Sequence, residues 1–253
     1  MRLISNALDL YFQFFKTKLG DGLGRFVGVW LLFVIGIILY ALIQADVKER
    51  QARHRGEAYE ELVTKLIRQY ITPNVLNNLI FYNNNISTEI DIVFVTVKGV
   101  FCVECKYHKH GNVYAPLKMY TWEIEDTEAT FYNAKWQNEG HVSALCSHVH
   151  DIPAFNLVIN STDFRFDRGN PDYYTNRKNC ADFLNTEHFL MAKIGTGRHS
   201  QKNIEDLKKH LDLLPDVISP QEVTSLTQFL TKFIATPEQR KRHKEQQIIR
   251  YGA

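Results

Sequence analysis

Asp91, Glu104 and Lys106 lie in residues 89–106, EIDIVFVTVKGVFCVECK, a run that otherwise reads as buried strand. Carboxylates at short range can hold a hard divalent cation, and an ammonium beside them can stabilise charge that develops on a substrate oxygen. Whether the three meet depends on how two strands pair. The β-branched and aromatic runs Ile90–Val97 and Val100–Lys106 flank Lys98-Gly99, and a two-residue connection containing glycine predicts a hairpin. With Val97 opposite Val100, Asp91 falls opposite Lys106 and Val93 opposite Glu104. Side chains alternate faces with a period of two, so Asp91, Glu104 and Lys106 share one face. The expected Cβ separations are roughly 5 Å for Asp91 and Lys106 and roughly 7 to 8 Å for the diagonal Asp91 and Glu104.

The surroundings make these charges costly. Both faces of each run are apolar (Ile90, Ile92, Phe94 against Val93, Val95, Val97), the pattern of central strands covered on both sides. Charges at the end of such a sheet must be paired or bound to a cation. An isolated E-x-K is most simply an ion pair, but a pair uses one carboxylate and here there are two.

The flanking elements position this hairpin and add polar groups. In GEAYEELVTKLIRQY, residues 56–70, Tyr59, Leu62, Val63, Leu66, Ile67 and Tyr70 recur at helical spacing, and the helix ends before Thr72-Pro73. Glu57 sits in its first turn, where the helix dipole alone would favour an acid. Val75–Tyr82 reads as a strand and Asn83–Ser87 as a polar turn. Short strands follow around Val113 and over Met119–Ile124, with Trp122 packed. Asn133–Val149 reads as a helix with Trp136, Val142, Leu145 and Val149 on one face. Gln137 and His141, one turn apart, can reach the same site, although taken singly Gln137 reads as a surface residue and His141 as a structural histidine. Phe155–Asn160 is a further core strand.

With 253 residues, 45% of them hydrophobic, the chain can bury a domain core and carry extra segments. A formal net charge of +2 singles out no acidic or basic partner. The four cysteines (Cys102, Cys105, Cys146, Cys180) contain one C-x-x-C without a second pair. On a strand Cys102 and Cys105 face opposite sides, so they read as reduced core residues rather than a zinc site.

Phe26–Ile43 is eighteen residues without a charge. At about 1.5 Å per residue it spans about 27 Å, the thickness of a bilayer's hydrocarbon core, and it reads as a transmembrane helix. The alternative is a signal peptide cleaved so that the mature chain starts near Asp46. Leu3–Leu19 is partly amphipathic and could lie on a membrane surface. Lys16, Lys18 and Arg25 precede the span while Lys48, Arg50, Arg53 and Arg55 follow it, a slight bias that places the C-terminal side in the cytoplasm.

Gly56-Glu57, Ile90-Asp91, Gly99-Val100-Phe101, Val103-Glu104-Cys105-Lys106, Gly111, Trp122 and NAKWQN at 133–138 resemble, in order and spacing, the nuclease-related domain (NERD), a branch of the PD-(D/E)xK restriction-endonuclease-like superfamily. The resemblance covers about Gly56 to Ile159. Ala134 stands where the family often has proline, and Ile90 where the superfamily has proline before the acid; both are packing or turn positions. The resemblance implies an α/β fold, a restriction-endonuclease-like mixed central sheet flanked by helices, here preceded by one transmembrane helix. It implies Asp91 and Glu104 as Mg²⁺ ligands with Mn²⁺ able to substitute, Glu57 as a helix-borne acid near the metal, Lys106 as the catalytic lysine and Gln137 as a supporting polar residue. The implied function is Mg²⁺-dependent hydrolysis of phosphodiester bonds in nucleic acid, DNA in the first instance, on a membrane-anchored chain whose nuclease-like domain is cytoplasmic. A non-catalytic nucleic-acid-binding or membrane-tethered scaffold is the competing expectation.

The organisation expected is an N-terminal juxtamembrane segment (1–25), the transmembrane helix (26–43), a charged linker (44–55), the nuclease-like core (56–160), a C-terminal extension packed on it (161–236) and a basic tail (237–253). Within the extension, Asp163–Lys178 reads as a polar loop mixing arginines with aromatics, and Phe183–Ile194 as a helix then a strand. Ser219-Pro220-Gln221-Glu222 opens a helix with a capping box, and the tail reads as a solvated charged helix.

Overall fold

A two-residue hairpin turn sets the register of the central strands. In the computed structural model, which describes residues 10–11, 13–14, 16–17, 20–83, 86–165 and 189–251, strands β2 (Ile86–Thr96) and β3 (Gly99–Lys106) are antiparallel with Thr96 opposite Gly99 and Ile92 opposite Val103. The turn is therefore Val97-Lys98 rather than Lys98-Gly99, and the register differs by two residues from the sequence expectation. Gly99 belongs to the strand because its φ of +128° suits only glycine and because a Cβ there would collide with the Pro153 carbonyl oxygen. A slip of two keeps every side chain on its expected face. It brings Asp91, rather than Val93, opposite Glu104.

Strand β1 (Val75–Asn83) pairs antiparallel with β2. On the other side of β3 lie the parallel strands β7 (Ala154–Asn160) and β9 (Phe189–Lys193), which gives a mixed five-stranded sheet in the order β1-β2-β3-β7-β9. A smaller sheet, β6-β5-β4-β8, is built from β4 (Val113–Tyr114), β5 (Thr121–Ile124), β6 (Thr130–Tyr132) and β8 (Phe164–Arg165). The architecture is mixed α/β.

Helices cover both faces of the larger sheet. On one face, Tyr59, Val63 and Ile67 of α1 (Asp21–Tyr70) and Ile204, Leu207 and Leu211 of α3 (Ser200–Leu211) pack on Ile92, Phe94, Phe101, Val103 and Leu157. Phe94, Phe101 and Phe155 stack across three strands there, with centroids 4.6 and 4.7 Å apart. On the other face, Leu145 of α2 (Ala134–Cys146) and Val223, Leu226 and Leu230 of α4 (Pro220–Leu230) pack on Val93, Val95, Val100 and Cys102. Cys102 and Cys105 fall in opposite layers, both free and buried. The capping box of α4 is formed: Glu222 N–H donates to Ser219 Oγ at 3.2 Å, and Ser219 N–H to the Glu222 carboxylate at 2.6 Å.

The C-terminal helix α5 (Pro237–Tyr251) is anchored rather than simply solvated. Arg240 pairs with Glu89 at 2.6 Å, and His243, 8% exposed, lies 2.7 Å from Ser87 Oγ. Most of Leu3–Leu19, residues 166–178 of the polar loop and residues 183–188 lie outside the described residues.

The chain divides into two compact units, residues 1–54 and 55–253, and α1 contributes residues to each. In the first, Val27 to Ile43 are helical and largely exposed, and by length and composition this helix can cross a membrane, a property it shares with signal sequences near an N-terminus. Residues 44–55 are helical too, with the ion pairs Arg50–Asp46 and Arg53–Glu49 one turn apart.

Candidate active site

Asp91 and Glu104 mark the point where β2 and β3 part. The ladder ends at Ile92 opposite Val103, and the next position along the same register sets Asp91 against Glu104. Asp91 closes this frayed end with its side chain: its Oδ2 accepts the Cys105 backbone N–H at 3.1 Å. Extended one step beyond the ladder, that register sets Asp91 and Glu104 opposite one another on the same face rather than on the predicted diagonal.

Glu104 is 3% exposed. Its Oε1 lies 2.7 Å from Lys106 Nζ, two residues along the same face, and Lys106 also donates to Gln137 Oε1 at 2.9 Å. Glu104 Oε2 has His141 Nδ1 3.4 Å away and makes no hydrogen bond, and neither does that nitrogen. Helix α2 supplies both Gln137 and His141 because residues four apart lie on one helical face. Asn133 starts this helix: its side chain accepts from the Lys135 and Trp136 backbone N–H groups, as an N-cap should. Asn138, fully buried, fastens the helix to the sheet by donating to the Cys102 carbonyl at 2.9 Å and to Asn156 Oδ1 at 2.8 Å.

The electrostatics follow from crowding acids at a buried strand end. Burial and then the charges of Glu104 and Glu60 hold the Asp91 carboxyl well above the usual range, against the pull of the Cys105 N–H and Lys106. Burial lowers the Lys106 pKa, but the charge and hydrogen bond of Glu104, with Asp91 behind it, outweigh this and raise it, so the amine stays an ammonium. His141 is pushed down by burial, partly offset by Glu104, and is a neutral imidazole at pH 7.

The helix-borne acid that joins this group is Glu60 rather than Glu57. Glu57 is exposed, 3.9 Å from Lys244. Glu60, nearly one turn further along α1, is half-buried and pushed up to about 7, first by burial and then by the charge of Glu104. The sequence carried a signal for it: Glu60 borders the buried line Tyr59, Val63, Ile67 and stands one turn before Thr64, itself buried and hydrogen-bonded to Asn77 of β1 at 2.5 Å. Asn138 was legible only as part of the NAKWQN stretch.

An open cleft of about 710 Å³ reaches the group at Asp91 and is lined by Asp91, Gln137, His141, Trp136, Tyr120 and His243, among others. Among the described residues, no three His, Cys, Asp or Glu side chains are placed to hold one metal ion. Two carboxylates are a sufficient protein contribution for Mg²⁺, which keeps several waters and takes further ligands from phosphate. The unpartnered Oε2 of Glu104 beside Asp91 fits such an ion, as does the surplus of acids over the single ammonium.

Residues 55–161 match the family model of the nuclease-related domain, so this stretch is a NERD domain, consistent with the wider PD-(D/E)xK superfamily. No curated protein matches the chain. Among solved structures, that of AF1548, a protein of unknown function, is similar at 14% identity, covering 77% of this chain and 97% of its own, with a TM-score of 0.36.

Proposed function

We propose that the chain is a membrane-anchored nuclease that hydrolyses phosphodiester bonds in nucleic acid, DNA in the first instance, with Mg²⁺ or Mn²⁺ held by Asp91 and Glu104. The observation that carries the reading is the Glu104 carboxylate: buried, tied to Lys106 through one oxygen and without a hydrogen bond at the other, in the electrostatic reach of the half-buried Asp91. A divalent ion there would polarise the scissile phosphate and lower the pKa of a bound water. Lys106 has three donor hydrogens; Glu104 and Gln137 take two, which leaves one for a substrate oxygen or the attacking water. Glu60, close to half-protonated near pH 7, is able to accept or release a proton beside the two ligands. Gln137 fixes the ammonium, and the neutral His141 fills the wall behind Glu104 without adding a competing cation.

A restriction-endonuclease-like core is the fold this reading requires, and the mixed sheet with helices on both faces is compatible with it. The span at residues 26–43 would anchor the chain in the inner or plasma membrane, and the free cysteines Cys102, Cys105 and Cys146 support a reducing, cytoplasmic location for the domain. The competing scaffold reading draws on the lack, among the described residues, of a third ligating side chain. The full chain in detergent should be incubated with circular and linear, single- and double-stranded DNA and RNA, each with Mg²⁺, Mn²⁺ or chelator. Cleavage that needs the metal supports the nuclease; intact substrate under every metal condition supports the scaffold.

A further inference from the structure

Part of the cleft's lining is aromatic, and nothing in the chemistry above requires it to be. Tyr120 is 67% exposed and Tyr132 40% exposed, and Trp136 is half-buried beside them. The rings meet edge to face: Tyr120 stands 4.9 Å from Tyr132 at 74° and 5.8 Å from Trp136 at 73°. They are not the core of the small sheet. Trp122 and its cross-strand partner Phe131 fill that core, and Tyr132, next in the strand, alternates to the other side.

The rings are held in place before any ligand arrives. Asn133 donates its backbone N–H to the Tyr120 carbonyl at 3.0 Å and its side-chain amide to the Met119 carbonyl at 2.7 Å, while its Oδ1 caps the helix that carries Trp136. One buried side chain thus fixes both the turn bearing Tyr120 and the helix bearing Trp136 and Gln137. Gln137 follows Trp136 directly and holds Lys106, and Asp91 lines the same cleft as the three rings, so the aromatic wall is tied to the acid group through one helix and one cleft.

Exposed rings around a phosphate-binding site offer faces and edges to flat partners. A base inside a duplex has both faces covered by its neighbours, whereas an unpaired base is free to stack. We infer that Tyr120, Tyr132 and Trp136 form a base-stacking wall, and that the substrate class of the Asp91–Glu104 site is nucleic acid with unpaired bases at the cleavage point: a single strand, a flap or a frayed end. This rests on the nuclease reading for the nature of the ligand, but not for any step of the chemistry.

The test is binding without cleavage. The full chain in detergent and chelator is titrated by fluorescence anisotropy into a labelled oligothymidylate, a strand of the same length made of abasic sites, and a blunt duplex. The oligothymidylate should bind more tightly than either, and Tyr120→Ala and Trp136→Ala should each weaken it roughly 5- to 150-fold while leaving abasic binding unchanged. Tyr120→Phe and Trp136→Phe, which keep the ring and the packing, should retain the affinity. Equal binding of abasic and base-bearing strands, or Ala variants that bind as wild type, would overturn the stacking wall even if wild type cleaves with metal. Base-dependent binding by a wild type that never cleaves would uphold the wall and remove the nuclease reading alone.

Discussion

The Lys106 ammonium stands 2.7 Å from one carboxylate oxygen of Glu104, and the other oxygen of that carboxylate has no hydrogen-bond partner. This division separates the roles of the two residues. The paired oxygen fixes where the ammonium points, and the unpaired one is available to a cation. On the proposed reading, replacing Lys106 removes a charge from the reaction without removing a metal ligand. Lys106→Ala is expected to lower metal-dependent cleavage by about 10²- to 10⁴-fold and to retain metal binding. Gln137→Ala, which removes one acceptor from the ammonium, should cost about tenfold, near 1.4 kcal/mol. Single-turnover rates check both, and an Lys106→Ala protein with wild-type rates would show the ammonium to be a structural pair only.

Glu60 makes the folded state sensitive to pH in a definite direction. Its carboxyl titrates near 7 in the folded chain against 4.5 for the ordinary group, so between those values the folded chain binds more protons than the unfolded one. Stability from this group is highest below about pH 4.5 and falls as pH rises through about 7. Glu60→Gln removes the penalty. In chelator it should match wild type near pH 4.5 and exceed it at pH 8 by up to about 3 kcal/mol. Denaturant midpoints at the two pH values check this, and an equal difference at both would mean that Glu60 is not perturbed by its neighbours.

The apolar helix tests separately from the site. Val29, Phe33, Ile37 and Tyr40 are more than half exposed, as expected of a face that meets lipid. Ile35→Lys with Ile38→Lys places two ammonium groups near the middle of the span, each costing about 2.5–3.5 kcal/mol in a bilayer. The wild-type chain should resist extraction from membranes by alkaline carbonate and the double variant should be released. Extraction of the wild type would show that the segment does not anchor the chain.

The parts of this architecture that could be read in advance are those fixed by periodicity. Alternation put Asp91, Glu104 and Lys106 on one face and Cys102 and Cys105 on two, and it remained right when the hairpin turn proved to be Val97-Lys98, because a slip of two residues conserves faces. The turn itself was misplaced because Gly99 looked like a turn residue, whereas its need for glycine comes from Pro153, 54 positions away and invisible to local pattern. Glu57 and Glu60 differ by less than one helical turn, and sequence alone did not say which would face the sheet end; that is decided by how Tyr59, Val63 and Ile67 seat on the strands. The anchoring of α5 through His243 and Ser87, 156 residues apart, has no local signature either.

Manganese binding to the full chain, measured by calorimetry in detergent for wild type and for Asp91→Asn, tests the central claim most directly. A site made of Asp91 and Glu104 predicts binding in the wild type and its loss in Asp91→Asn, with the variant at least as stable as wild type in chelator because one acid crowded by Glu104 and Glu60 has gone. Undiminished binding by folded Asp91→Asn, or no binding by the wild type, would contradict it.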